Sequence, residues 1–300
     1  MDFGKVATLN GIDFVLPPDH RVTDRMFEKL KPAGKPPDVY IGGAKWGRED
    51  WIGLLYPKGT KSKDFLSHYV KSFNTIELNA LFYHLQPKKV IEGWAATADD
   101  DFRFCPKFSN TISHVHQLKN AGSDTDRFID HMQSFGNKLG YSFLQLSESF
   151  DTGRAGIIRD YLASLPRDFR ACLELRHPHW FRDDPAVSSL FDLLAQLGIG
   201  TVITDTPGRR DCLHMKLTAP VAFIRFVGAN LHPTDYTRID SWAERIVQWI
   251  EKGLREVYFF IHQPEEKHSP RLCRYAIETF NKKCGIRLKA PRLLDEGFLF

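Results

Sequence analysis

Several residues in this chain are of types that carry chemistry, at spacings that place them together. In "RACLELRHPHWF" (170–181), Glu174 and Arg176 lie two apart in an otherwise apolar, strand-like run, which puts them on one face, with Leu173 and Leu175 on the other. Burying a charge is costly unless it is paired or used. The same spacing argument, applied to other strand-like runs, collects Glu77 and Asn79, Lys107, Gln145, Asp205, Arg225 and His262 as polar groups at strand ends. Such a set holds acids and bases for proton transfer, with Glu77, Glu174, Asp205 and Lys107 as the expected catalytic groups. Glu174 or Glu77 would act as base, and Lys107 would donate a proton or stabilise developing negative charge. Arg176 and Arg225 offer forked donors for a carboxylate or phosphate, and Gly228 lets backbone amides approach the same anion. Trp46, Tyr83 and Trp180 would supply flat walls. Two histidine pairs are weaker signals. His177 and His179 flank Pro178 and read as loop-shaping, and His114 and His116 follow a strand rather than lying on one, so metal ligation by that pair is disfavoured.

The elements that must position these residues read from the alternation of short apolar runs with helical patterns. Eight strands are expected at "VYIGGA", "FNTIELNALFY", "FRFCPKF", "YSFLQLS", "RACLELR", "IGTVITD", "VAFIRFVG" and "EVYFFIH". Helices are expected near 62–72, after Pro87, around 125–138 and near 271–282, with Gly198 as a C-cap before the sixth strand. Strands alternating with helices imply a parallel sheet, and eight units in 300 residues fit an α/β TIM-type (β/α)8 barrel with an N-terminal extension. No GxGxxG follows a strand, which argues against a dinucleotide fold. Ile76, Leu78, Phe104, Leu144, Leu173, Phe259 and Ile261 would face the helices, leaving the polar set at the C-terminal mouth, where this fold builds its sites. Residues 1–37 stand apart as an extension with a Pro/Lys-rich linker, expected on the outside of a single domain spanning 38–300.

Composition bounds the function class. A net charge of +4 admits an acidic ligand without announcing a nucleic-acid binder. Five cysteines, with no CxxC, favour reduced thiols and a cytoplasmic address. No signal peptide or membrane-length apolar run is apparent.

Six segments, "IGGAKWGREDWIGLLYP", "FNTIELNALFYHLQP", "FRFCPKFSNTISH", "LELRHPHWF", "VITDTP" and "FIRFVG", together resemble the YecE-like family (domain of unknown function 72) from about Tyr40 to the C-terminus. The resemblance implies a TIM-type barrel and no assigned activity. It marks Trp46, Glu77, Asn79, Tyr83, Lys107, His114, Glu174, Arg176, Asp205, Arg225 and Gly228. His262 departs from the family's usual asparagine at the end of the eighth strand, and an acidic loop follows it. The expected function is a hydrolase or lyase acting on a small anionic, phosphorylated or nucleotide-containing molecule. Trp46, Asn79, Tyr83, His114, Gln145, Arg176, Arg225, Gly228 and His262 would hold that substrate. A divalent metal is admitted but not firmly implied. The alternatives are a non-catalytic binder of small anions or nucleic acid, and a lyase forming a Schiff base at Lys107. No protein partner is implied.

Overall fold

The computed structural model describes residues 3–31, 36–182 and 184–295. In chain order the elements are α1 (Arg21–Glu28), β1 (Asp38–Gly43), α2 (Phe65–Tyr69), β2 (Thr75–Leu78), α3 (Ala80–Tyr83), α4 (Lys88–Thr97), β3 (Arg103–Pro106), α5 (Gly122–Met132), β4 (Ser142–Gln145), α6 (Ala155–Ser164), β5 (Ala171–Glu174), α7 (Pro185–Leu197), β6 (Gly200–Asp205), β7 (Val221–Val227), α8 (Pro233–Glu251), β8 (Glu256–His262) and α9 (Ser269–Cys284). Every expected strand is present, and Gly198, at φ 69°, ends α7 as expected. "FNTIELNALFY" divides: Asn79 closes the strand and "ALFY" turns into α3.

Among the described residues all strand pairings are parallel. Six strands form one sheet in the order β1-β8-β7-β6-β5-β4, and β2 pairs with β3 in a second ladder. The fold is thus α/β with a mostly parallel central sheet. Between β3 and β4 the backbones meet at Gly140 N–Phe104 O (2.8 Å) and Phe108 N–Phe143 O (3.0 Å). Between β1 and β2 side chains do the joining. Asn74 donates to Val39 O (2.8 Å) and accepts from Ile41 N (3.0 Å), while the Tyr69 hydroxyl bridges Gly43 N (2.8 Å) and Thr75 O (3.0 Å). Gly42 has to be glycine at this seam, since a Cβ there would stand 2.1 Å from Thr75 O.

Alternation along the strands divides the core in two. One face buries Tyr40, Phe143, Cys172, Val202, Phe223, Tyr258 and Phe260 against one another. The other packs Ile76, Phe104, Leu144, Leu173, Ile224 and Phe259 against the helices. At the N-terminal ends Tyr40 and Tyr258 stack at 4.7 Å, and Arg170 lies 4.1 Å from the Tyr141 ring while pairing with Glu256. That end is plugged, and the polar groups gather at the other.

No α-helix follows β6. A short 3-10 turn, Pro207–Cys212, and an extended run lead straight to β7. The N-terminal extension covers this stretch. Thr23 of α1 donates its hydroxyl to Met215 O and accepts from Leu217 N (2.7 Å), Val22, Met26 and Phe27 join the helix-side core, and Arg25 pairs with Asp192 of α7 at 3.0 Å. Asp19 is held by Arg245 (2.9 Å) and the Trp249 indole (3.0 Å) of α8. The extension thus packs outside the strands, and α1 is part of the core rather than an appendage. Of the linker, residues 32–35 lie outside the described residues.

Candidate functional site

The C-terminal strand ends carry one continuous chain of charged groups. Glu77 of β2 accepts both arms of the Arg225 guanidinium from β7, Nε to Oε2 at 2.7 Å and Nη2 to Oε1 at 2.8 Å. The third arm of Arg225 reaches Glu174 Oε2 of β5 at 2.8 Å. Glu174 Oε1 accepts from Arg176 Nε (2.7 Å), whose Nη2 reaches Gln145 Oε1 of β4 (2.8 Å). At the other end His262 Nε2 of β8 donates to Glu77 Oε2 (2.9 Å) and Asn79 Nδ2 to Oε1 (2.7 Å). Seven expected residues from five strands and two strand-end loops meet here, and Glu77, Glu174 and Arg225 are almost wholly excluded from solvent. Low dielectric strengthens each bond and makes each an expensive one to break.

Burial works to raise both carboxyl groups, but Arg225 and His262 hold Glu77 well below the usual carboxylate range, and Arg176 and Arg225 hold Glu174 below it. Two carboxylates so occupied are weak bases. Lys107 is perturbed the other way, toward its neutral form. It follows β3 on the inner face, 8% exposed, its ammonium 3.8 Å from the centre of the Phe82 ring. Burial, resisted by Glu174 and aided by Arg225 and Arg176, lowers it to about 8. Among the described residues no carboxylate oxygen lies within 4.0 Å of it. His114, in the turn after β3, accompanies it. It bonds Ser113 Oγ (2.8 Å) and meets Phe82 edge-on at 5.2 Å, and burial, with Lys107 and Arg176, lowers its pKa.

Other expected residues are placed elsewhere. Asp205 has the opposite parity to Thr204 and points to the helices, where Arg238 (2.7 Å), the Trp242 indole (2.7 Å) and Arg210 hold it. It is a latch between β6 and α8 rather than a member of the mouth. Trp180 is fully buried, its indole donating to Phe150 O at 2.6 Å, so it is core rather than wall. Trp46 packs edge-on against Trp94 at 5.2 Å, and Tyr83 stands 83% exposed at the rim. Gly228 meets the expectation of close backbone approach, but the occupant is internal. The Asp235 carboxylate accepts from Ala229 N (2.8 Å) and Leu231 N (3.1 Å), and a Cβ on Gly228 would sit 2.7 Å from it. The amide nest after β7 is thus filled by the chain's own acid, leaving no place for a ligand anion. His177 shapes its loop as expected, accepting from His179 N at 3.2 Å. His116 turns away from His114 to Asp124 (3.1 Å).

The divalent-metal option does not fit this donor set. Both oxygens of Glu77 and of Glu174 already accept from guanidinium groups, whose charge would repel a cation. Among the described residues no three His, Cys, Asp or Glu side chains converge as ligands.

A cleft of about 550 Å³ opens beside this chain of charges, between residues 4–10 and the loops after β7 and β8, with His262 and Gln263 in its wall. The sequence reading missed this N-terminal wall, and also Phe82, Arg209, Arg210 and Asp235. Phe82 lies inside "NALFY", where a helical turn rather than a strand carries it inward. The N-terminal wall and Arg209 act through contacts distant in the chain, whereas Arg210 and Asp235 reach back only a few residues from turns and a helix start, where strand alternation gives no signal.

A parallel α/β fold with a polar, charge-networked face at its strand ends defines the class of protein. The chain belongs to the DUF72 family, proteins of unknown function, which it matches over residues 40–293. It is 29% identical to the UPF0759 protein YecE of Escherichia coli (strain K12) over 280 residues, 87% of this chain and 100% of that one. It is 29% identical to the UPF0759 protein YunF of Bacillus subtilis (strain 168) over 153 residues, 48% of this chain and 52% of that one. Crystal structures of DUF72 family proteins from Enterococcus faecalis V583 and Thermotoga maritima MSB8 share the fold. Their TM-scores are 0.65 and 0.61 at 17% and 22% identity, covering 85% and 83% of this chain and 98% and 99% of theirs. Residues 4–10 lie outside the family match.

Proposed function

We propose that the strands close into a TIM-type (β/α)8 barrel and that the chain is a cytoplasmic enzyme, a hydrolase or lyase, acting on a small anionic molecule at the C-terminal mouth. The side-chain links across the β1–β2 seam and the meeting of β3 with β4 support closure. The five cysteines are free thiols, in keeping with a reducing compartment.

One observation carries the anionic ligand. The mouth sets two carboxylates, Glu77 and Glu174, against three cations, Arg225, Arg176 and Lys107, and of these three the Lys107 ammonium has no carboxylate of the described residues in contact. A buried ammonium that Glu174 offsets only from beyond contact distance is costly and favours a ligand that brings an opposite charge into contact. A carboxylate or phosphate fits, and Lys107 would then donate the proton its lowered pKa makes available near neutrality. The nucleic-acid alternative shares the phosphate chemistry, but the mouth's excess is a single charge. The Schiff-base reading is favoured by the same lysine, since an amine lowered to about 8 is partly neutral at working pH and can attack a carbonyl.

Titration calorimetry with inorganic phosphate and with pyruvate tests this. Binding should be present in the native protein and weakened roughly ten- to hundredfold in Lys107→Met, the loss of one charge-assisted bond. Equal affinities in the two proteins would overturn the assignment. Borohydride treatment in the presence of pyruvate separates the lyase reading, which requires a reduced adduct on Lys107.

A further inference from the structure

The chain of charges at the mouth has two ends, and one segment packs on the first and faces the second across a cleft. At the Arg176 end Phe3, 8% exposed, lies 4.3 Å under the Arg176 guanidinium and 4.8 Å under that of Arg209. Arg209 Nη2 donates to Arg176 O (3.1 Å) and to Cys212 Sγ (2.9 Å), so Phe3, both arginines and Cys212 form one packed group. At the His262 end residues 4–10 form the outer wall of the cleft whose inner wall is His262 and Gln263. Between these ends run Arg176, Glu174, Arg225, Glu77 and His262, each hydrogen-bonded to the next.

The segment is tied down at a few points only. Gly208 N donates to Gly4 O at 2.9 Å, and the Thr206 hydroxyl reaches Gly4 O at 3.3 Å. A Cβ on Gly4 would stand 2.3 Å from Thr206 Oγ1, so the approach is as close as a glycine allows. Residues 5–8 are exposed, and Gly4 and Gly11, both at φ 76°, bracket the stretch with backbone conformations that other residues adopt only with strain. Few anchors, an exposed middle and a turn-permissive glycine at each end are the properties of a segment that opens locally at little cost.

We propose that residues 3–10 are a hinged wall of the mouth, with Phe3 as its anchor. When Phe3 is seated the segment walls the mouth on its His262 side, and a bound anion favours the seated state, because Arg176 is then held between Phe3 and Glu174. The proposal rests on the anionic-ligand reading above and adds to it an element outside the family match.

Cys212 reports the seating without any ligand, since its thiol is buried and in contact with Arg209, whose guanidinium stacks on Phe3. Its rate of modification by a maleimide, located by peptide mapping, should rise about three- to thirtyfold in Phe3→Ala, the factor a partly desolvated cation–π contact is worth. Gly4→Val, which wedges the segment away from Thr206 and leaves the aromatic ring intact, should act in the same direction. Inorganic phosphate should slow the modification in the native protein and leave Phe3→Ala unaffected. Unchanged rates in both variants overturn the hinged wall. Phosphate that binds by calorimetry yet leaves the native rate unaltered overturns the coupling and spares the anion site. Phosphate that does not bind overturns the anion site, and the coupling with it.

Discussion

Two acidic residues that look alike in the sequence, Glu174 and Asp205, do opposite things. Both end a strand and both are buried, but Glu174 alternates with Leu173 and Leu175 toward the inner face, whereas Asp205 shares its parity with Ile203 and faces α8. Asp205→Asn should cost about 3–5 kcal/mol in urea unfolding, because Arg238 and Arg210 lose their counter-charge, and leave phosphate affinity at the mouth unaltered. A drop in affinity matching that of Lys107→Met would return Asp205 to the site. Lys107 is the contrasting case, a residue that costs the fold stability. Its pKa is lowered to about 8 in the folded chain from about 10.4 unfolded, so between those values the unfolded state binds more protons and stability rises with pH. Below pH 8 the penalty is fully present. Lys107→Met should therefore stabilise the protein by about 1–3 kcal/mol at pH 7, and the gain should vanish as the pH approaches 10. A stabilisation independent of pH would mean that the lysine titrates normally.

At the scale of elements, alternation made most of the site legible in the sequence. Glu77, Gln145, Glu174, Arg225 and His262 each fall on the inner face with apolar neighbours turned outward. Alternation failed where the chain leaves the strand. Phe82 comes inward from a helical turn, and Gly228 is occupied through Asp235 on α8, a contact that no local pattern announces. Nor did any pattern mark the seam between β1 and β2, where the Asn74 side chain stands in for a backbone ladder. Asn74→Ala would leave Ile41 N and Val39 O without these partners, at about 1–3 kcal/mol each for a buried group. Hydrogen exchange should then accelerate at Ile41 while Ile224, in the middle of the six-stranded sheet, keeps its protection. Equal acceleration at both would show the seam to be no weaker than the ladders.

The molecule as a whole depends on its least strand-like part. The sequence sets residues 1–37 apart from the repeating pattern, but periodicity says nothing about what an extra helix covers. No α-helix follows β6, and α1 with the segment before it closes that stretch of the outer layer, burying Val22, Met26 and Phe27 in the common core. Each such side chain is worth about 1.5–3 kcal/mol when buried, and together they approach the whole net stability of an ordinary domain, about 5–15 kcal/mol. If the extension were an independent appendage, Phe27→Ala would loosen α1 alone and leave the strands untouched. As part of the core it should instead destabilise the entire fold by about 3–5 kcal/mol. Urea unfolding followed separately by far-ultraviolet circular dichroism and by fluorescence of Trp180, a buried side chain whose indole is held by Phe150 O, reads the difference. Substituting the other tryptophans in turn isolates that signal. A common midpoint, shifted equally in both signals, is the outcome that a shared core requires. An early transition seen by dichroism alone, with the Trp180 signal at its native midpoint, would make the extension a separate unit, and the wall built by residues 3–10 would then rest on a part of the chain that comes and goes without the site.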